Sequence, residues 1–432
     1  MRQPACFQAA IEIIELFDKQ DRPASAVTAE YLRSRRYIGA KDRKNIQETL
    51  FSLIRNRYFI EWQFSQIDVE YSARALAFAY LIKINESLDQ LNSYLDGAPY
   101  SPAPLSPTEH TWVTQYLEYC KRPIYQPPLW VQGNYPQWLE NELLKTYGSE
   151  LIPEMQAFDS NAPMDLRVNT TKTTRSALLK KFQQDGIQAQ PTKYAKNGIR
   201  VLGRPALLST KEYRQGKIEI QDEGSQIITE LVSACSNHHI VDFCAGAGGK
   251  SLALAEKCAP NGKVISCDTS QKRLNKIKPR LARSGLKNIE IKHLEKTSDW
   301  QKAAEQTADR VLVDTPCSGT GTWRRDPDAR TRLTEKSLAD YKRQQSQILD
   351  EAAPLVKQGG RLVYATCSIL ASENLEQVEN FVQRQKMFRL LPIGEIWRKE
   401  IGNIEVPTTN TLQLTPKQHA VDGFYIAIFE RI

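Results

Sequence analysis

The sequence predicts an α/β protein. Its C-terminal half reads as a mostly parallel sheet covered by helices on both faces, preceded by a small α/β unit and an all-helical segment. From residue 216 onward, short runs rich in Val and Ile alternate with helix-like stretches, the pattern of strands joined by crossover helices. Over residues 1–125, apolar residues recur at helical spacing instead. A chain of 432 residues also exceeds one ordinary core, so two or three domains are expected.

The C-terminal strands are expected at 239–243, 263–268, 288–293, 309–314 and 361–366. A last one at 423–430 follows a different spacing that suits an antiparallel strand. Helix-like stretches such as KSLALAEKC and LADYKRQQSQILDEAAPLV separate them, and no internal repeat is visible. The middle segment, 126–215, mixes a short helix (QWLENELLKTYG), a strand around MDLRVNT, a polar helix (TRSALLKKFQQDG) and a strand pair around GIRVLG. The first segment shows helical runs at 10–17, 45–62 and 73–84. APYSPAPLSP is too rich in proline for regular structure, and KRPIYQPP marks the expected boundary near 125. The expected domains are therefore 1–125, 126–215 and 216–432.

Composition narrows the class. Hydrophobic residues make up 41% and charged residues 25%, which fits a globular protein. No uncharged apolar stretch is long enough to span a bilayer, so no membrane partner is expected. The N-terminus meets Glu12, Glu15 and Asp18 before any apolar run develops, unlike a secretion signal. A cytoplasmic location with reduced thiols is expected. None of the eight cysteines forms a CxxC pair, and the five histidines form no ligand array, so no metal is expected. The net charge of +8 permits an anionic partner without requiring one.

Four motifs carry chemistry. VDFCAGAGGKS (241–251) lies between a strand and a helix. Its Gly246, Gly248 and Gly249 let backbone approach a ligand, and the helix start offers free N–H groups. It is neither a Walker A loop, whose first glycine would fall on Cys244, nor GxGxxG. Alone, it reads equally well as a tight turn. Asp268 ends the next strand, where a carboxylate can accept from both ribose hydroxyls or can cap a helix begun by Thr269 and Ser270. Together the two motifs favour a nucleoside.

The third motif is VLVDTPCSGTGTWRRDP (311–327). Asp314 ends a strand at the sheet's carboxyl edge, and a turn of Pro316, Gly319 and Gly321 presents Cys317 and Ser318. Arg324 and Arg325 suit phosphates and base stacking, so they are candidate RNA contacts, although a loop of solvated charges fits equally well. Trp323 could stack on a base or pack the loop down. The fourth is YATCSILASEN (364–374), where Cys367 lies just past another strand at the same edge, followed by Ser368 and Glu373. A cysteine in mid-strand is usually a core residue; one at a strand's end is better placed for reaction. Cys244, Cys258 and Cys267 read as small core or turn residues, and His293 as a strand end. The basic stretch QKRLNKIKPRLARSGLK (271–287) reads as a solvated helix face.

Two cysteines beside a nucleoside-type pocket need a joint explanation. Cytosine C5 is a poor nucleophile. A thiolate adding to C6 makes the ring an enamine, and C5 can then attack a methyl sulfonium. Release needs removal of the C5 proton and expulsion of the thiol. A carboxylate near N3 or N4 would stabilise the ring's developing charge.

In this order, CAGAGGK, SCD, DTPCSGTG with RRDP, and TCSILASEN resemble the Sun/Fmu family of RNA cytosine-C5 methyltransferases, also called RsmB/Nop. IQDEGSQ (220–226), HAVDGFYIAIF (419–429) and PMDLRVNTTK (163–172) extend the resemblance, and AKDRKNIQETLFSLIRNR (40–57) is similar to the NusB-like domain of the bacterial ribosomal branch. The resemblance implies a Rossmann-like class I methyltransferase domain with a seven-stranded, mostly parallel sheet, a small RNA-binding α/β unit and a NusB-like helical domain. It implies S-adenosyl-L-methionine as cofactor, bound by Cys244, Ala245, Gly246, Ala247, Gly248, Gly249, Lys250, Asp268 and Asp314. It implies Cys367 as nucleophile, Cys317 as the residue aiding product release, Asp314 on base and cofactor, and Lys250 near the cytosine. Ala247 stands where the family commonly has Pro, Thr315 where it has Ala, and Glu295 where it has Asp. The expected partner is RNA, by resemblance 16S ribosomal RNA with transfer RNA as the alternative, and a monomer is expected. A non-catalytic RNA-binding assembly factor would have no need of Cys367, Cys317, Asp314 and Lys250. A DNA enzyme would carry a target-recognition insertion between TCS and the last strand, and none is present. A small-molecule methyltransferase seldom needs two leading domains or paired thiols.

Overall fold

The computed structural model describes residues 1–85, 87–122, 126–203, 205–295 and 299–432. Its contacts group the chain into two compact units: Met1–Ser160 with Arg325–Leu333, and Asn161–Arg324 with Thr334–Ile432. This grouping differs from the three segments expected from sequence. The expected border at 125 lies outside the described residues.

The first unit is helical. Its longer helices are Gln3–Asp18, Ala24–Ser34, Ala40–Ser65, Ala73–Asn85 and Pro107–Cys120, and Glu140–Tyr147 and Leu151–Ala157 follow. Helix Gln3–Asp18 buries Phe7, Ala10, Ile11, Ile14 and Phe17, a three-to-four spacing that places them on one stripe. They share a core with Leu50, Leu53, Phe64, Phe78 and Tyr116. The proline-rich run ends by starting a helix. Ser106 caps it, Glu109 returns the bond, and a proline occupies the first turn, where its missing N–H costs nothing. The Arg325–Leu333 excursion docks in this unit. Asp328 accepts from the Ala24 N–H at 3.0 Å, and buried Arg330 pairs with Asp159.

The second unit holds two sheets. The small one comprises β1 (Met164–Val168), β2 (Ala189–Pro191), β3 (Gly198–Val201) and β4 (Ile218–Ile220), all antiparallel in the order β2-β3-β1-β4. Helix Arg175–Gln184 covers it, with Leu178 and Phe182 packed on Leu166, Val168, Ile199 and Ile218. β4 thus belongs to the small sheet, although it lies beyond the border expected at 215.

The large sheet comprises β5 (His239–Asp242), β6 (Lys263–Asp268), β7 (Ile289–His293), β8 (Ala308–Asp314), β9 (Val356–Thr366), β10 (Phe388–Leu390), β11 (Leu412–Leu414) and β12 (Phe424–Arg431). Its order is β10-β12-β9-β8-β5-β6-β7, with β11 beside β12. Strands β5 to β9 pair in parallel, and β12 runs antiparallel to β9, as the last strand's spacing suggested. Seven strands lie along the path, as expected; β11 is an addition. β10 and β11, three residues each, are too short to show alternation in sequence.

Successive residues alternate between the two faces. Ile240, Val264, Leu312, Val363 and Ile426 pack with Ile227, Leu254 and Trp397. Their neighbours Val241, Ile265, Val311, Leu362 and Tyr425 pack with Leu349, Val378 and Phe381 on the other side. Burial on both faces is why these strands read as unbroken apolar runs.

The topology makes a crevice. From β5 the chain steps outward to β6 and β7, then returns to β8 on the opposite side of β5. The loops leaving β5 and β8 diverge at their carboxyl ends, where ligands bind in such sheets. The loop after β8 is held by a close backbone crossing: Gly321 N–H donates to the Cys367 carbonyl at 2.9 Å, and Gly423 N–H to the Gly321 carbonyl at 2.7 Å. A Cβ at Gly321 would overlap the Gly423 carbonyl. Gly321→Ala should therefore cost about 1–3 kcal/mol of stability, read from urea unfolding, through forced displacement of backbone.

Candidate active site

The loop after β5 is shaped by its glycines. Ala245 N–H donates to the Cys267 carbonyl at 2.7 Å. Gly246 and Gly248 then take the left-handed conformation, with φ of 56° and 79°. In front of Gly246 a Cβ would meet nothing within 4 Å, so open space faces the backbone there. Gly248 differs. It is buried, and the Ile277 side chain lies 2.9 Å from where its Cβ would be. A side chain there would be excluded by Ile277. Arg280 donates to the Ala247 carbonyl at 2.8 Å and fixes the turn.

Asp268 ends β6, buried. One carboxylate oxygen accepts from Gly246 N–H at 2.9 Å; the other accepts from Ser270 N–H at 2.7 Å and pairs with Arg273 at 2.9 Å. Ser270, not Asp268, caps the helix that follows. Asp314 ends β8 and pairs with Lys250 at 2.7 Å. Burial works against the Lys250 ammonium, but the charge and hydrogen bond of Asp314, then Asp242 and Cys367, outweigh it and hold the lysine above its ordinary value. Beneath them lies Asp242, pushed up to about 7 by burial, opposed by the Ser251 hydroxyl at 2.6 Å and reinforced by Asp314.

The sulfurs of Cys317 and Cys367 lie 3.2 Å apart. The Cys317 thiol is pushed well above its ordinary value by this hydrogen bond, then by burial and by the charges of Cys367 and Glu373. Cys244 is pushed up by burial.

Two cavities meet here. One, of about 460 Å³, is lined by Cys244, Ala245, Gly246, Ala247, Gly249, Lys250, Asp314, Cys317 and Cys367. The other, of about 600 Å³, is lined by Phe243, Asp268, Leu294, Glu295 and Ile348. They share Cys244, Arg273 and Pro316. Most of the sequence-expected site residues are thus gathered around these two spaces.

The arginines of the RRDP motif are not. Arg324 is buried and ion-paired with Asp422 and, at 3.6 Å, Asp222. Its guanidinium anchors the loop to the last strand's approach, which corrects its expected role on RNA. Arg325 is exposed and belongs to the helical unit. Trp323 is fully buried and packs the loop down. The stretch 271–287 is not simply a solvated face either, because Arg280 and Arg283 pair with buried Glu219. His293 is the strand end expected, its ring on the Thr269 carbonyl at 3.0 Å. Sequence reasoning missed Arg273, Arg280 and Asp242 as site residues. The arginines were masked by a basic run, and nothing in the spacing singles out Asp242.

Two sulfurs in contact, a cation and a carboxylate thus converge beside a nucleoside-sized space. Such a set suits covalent addition to an electron-poor ring followed by proton transfer. Among the described residues, no group of three or more His, Cys, Asp or Glu is arranged to hold a metal, and no helix is long and apolar enough to cross a membrane.

Residues 230–430 match the 16S rRNA methyltransferase RsmB/F family, and residues 135–206 match the ferredoxin-like domain of RsmF/B-like methyltransferases. The chain is 29% identical to the ribosomal RNA small subunit methyltransferase B of Serratia proteamaculans, over 97% of this chain and 96% of that one. It is 32% identical to the probable ribosomal RNA small subunit methyltransferase B of Synechocystis sp., over 68% of this chain and 66% of that one. A crystal structure of a methyltransferase homologue from Pyrococcus horikoshii superposes with a TM-score of 0.59 at 25% identity, over 70% of this chain and 98% of that one. Motif order, sheet topology and these matches agree: the chain belongs to the RsmB/F family of 16S rRNA methyltransferases.

Proposed function

We propose that this methyltransferase uses S-adenosylmethionine to methylate C5 of a cytosine in small-subunit ribosomal RNA, with Cys367 as the attacking group. The observation that carries this reading is the contact of two strand-end sulfurs at 3.2 Å beside the Lys250–Asp314 pair.

The residues fit the cofactor. Asp268, fixed by Gly246, Ser270 and Arg273, presents a buried carboxylate toward a cavity wide enough for an adenosyl group. Gly246 leaves its backbone open to the methionine portion. When bound, the cofactor supplies an electrophilic methyl on a sulfonium.

The protein's own groups do the rest. The Cys367 sulfur adds its electron pair to C6 and the ring's C5–C6 π pair moves onto C5, which would take the methyl as the methyl–sulfonium bond breaks with its pair left on the sulfonium sulfur. Asp314 supports the charge on the N3–N4 edge, and Lys250 holds Asp314 in place. The C5 proton then passes to solvent water, its C–H pair re-forms the C5–C6 double bond, and the S–C6 bond breaks with its pair left on the Cys367 sulfur. Cys317, kept as a thiol, does not compete as nucleophile. It touches the departing sulfur and donates a hydrogen bond as that sulfur regains its charge.

Cys367→Ala should abolish methyl transfer to RNA from labelled cofactor while cofactor affinity stays within about threefold; wild-type turnover would sink the reading. Cys317→Ala should accumulate a protein–RNA adduct that survives denaturing gels, and no adduct would remove its release role. Asp268→Ala should weaken cofactor binding about 10- to 100-fold by calorimetry, the cost of losing a charge-assisted hydrogen bond. Bisulfite sequencing of RNA from a deletion strain should show one cytosine losing its mark in 16S rRNA; a loss confined to transfer RNA would reassign the substrate.

A further inference from the structure

Cys317 and Cys367 sit on separate loops, after β8 and β9, and the strands alone do not set the distance between their sulfurs. One side chain touches both loops. Glu373 is fully buried just ahead of helix Leu375–Arg384. Its first carboxyl oxygen accepts from Ser318 N–H at 2.9 Å and from the Gln345 amide at 2.9 Å. Its second accepts from the Ser318 and Ser368 hydroxyls. Gln345 also donates to the Pro316 carbonyl at 3.0 Å. Both residues flanking Cys317 and the residue following Cys367 are thereby tied to one carboxyl group. Thr320 closes the network, with its hydroxyl 3.1 Å from that of Ser368 and accepting from Ile369 N–H at 3.0 Å.

None of these donors to Glu373 is a cation. A buried acidic group held by neutral donors alone is expensive for a purely structural joint. An apolar side chain of the same size would leave the Ser318 N–H, the Gln345 amide and the two hydroxyls without this acceptor. It would not grip Ser318 from two sides.

We propose that Glu373 is a positioning residue that sets Cys317 against Cys367, and that it serves the release step more than the attack. The inference rests on the proposed roles of the two cysteines. The grip is unequal: Ser318 gives two bonds, and Pro316 a third through Gln345, whereas Ser368 gives one. Loss of Glu373 therefore frees Cys317 more than Cys367. Cys367 still attacks, but the thiol that assists its departure is misplaced, and the covalent adduct persists.

The test compares Glu373→Ala, Glu373→Gln and Ser318→Ala with the intact chain and with Cys317→Ala, using the RNA substrate and cofactor. Glu373→Ala should lower kcat about 100-fold, the effect of an ångström-scale misplacement. KM should change less than threefold, and denaturation-resistant adduct should rise toward the level of Cys317→Ala. Glu373→Gln, which keeps the size and one acceptor, should restore part of kcat and lower the adduct again. Ser318→Ala removes one of the two Ser318 bonds to Glu373, along with the hydroxyl's contacts to Thr320 and Ser368, without opening a large cavity, and should show the same adduct increase in smaller measure even where Glu373→Ala fails to fold. A loss of kcat without added adduct in variants that still bind cofactor would overturn the proposal, as would unchanged kcat and adduct. Absence of adduct in Cys317→Ala itself would instead overturn the cysteine assignment.

Discussion

The parallel pairing of β8 with β9 is the constraint on which the site depends. Asp314 lies opposite Ala365 in this register, and the Thr315 N–H donates to the Ala365 carbonyl at 3.0 Å. Cys317 and Cys367 therefore leave the sheet at the same level and on the same edge. A slip of one residue would turn every side chain of one strand to the opposite face. The register is secured by burial on both faces, where Val311, Val313, Leu362 and Tyr364 pack on one side and Leu312, Val363 and Ala365 on the other.

On that frame, the charged groups share one cavity. Asp242 is buried and accepts from Ser251, Asp314 pairs with Lys250, and both sulfurs line the same cavity. Withdrawal from water strengthens each of these interactions and fixes its direction before any substrate arrives. The Cys317 thiol is raised first by its hydrogen bond to Cys367 and then by burial, whereas Lys250 is raised by Asp314 against the effect of burial.

The segment after Cys317 shows why residue type alone does not assign a role. RRDP looks like an RNA contact because arginine suits phosphate. Arg324 instead binds Asp422, and Gly321 crosses Gly423, so the segment joins the loop after β8 to the approach of β12. Two motifs a hundred residues apart, TGTWRRDP and HAVDGF, are halves of one joint. The basic run 271–287 has the same lesson in it: Arg280 and Arg283 neutralise Glu219 beside the glycine loop.

The sequence by itself determined the alternating strands and helices, the antiparallel last strand, the glycine loop, and the placement of Asp268, Asp314, Cys317 and Cys367 at strand ends. These are local: periodicity and turn chemistry are written within a few residues of where they act. Tertiary structure alone decided that Gly248 packs on Ile277, that Arg324 is buried, that Arg273 and Asp242 belong to the site, that β4 joins the small sheet, and that Glu373 grips two loops. Most of these depend on a partner well beyond the local sequence, such as Asp422 for Arg324 and Ser318 for Glu373. Side-chain charge and spacing do not encode that separation; only the packed sheet brings such partners within hydrogen-bond reach.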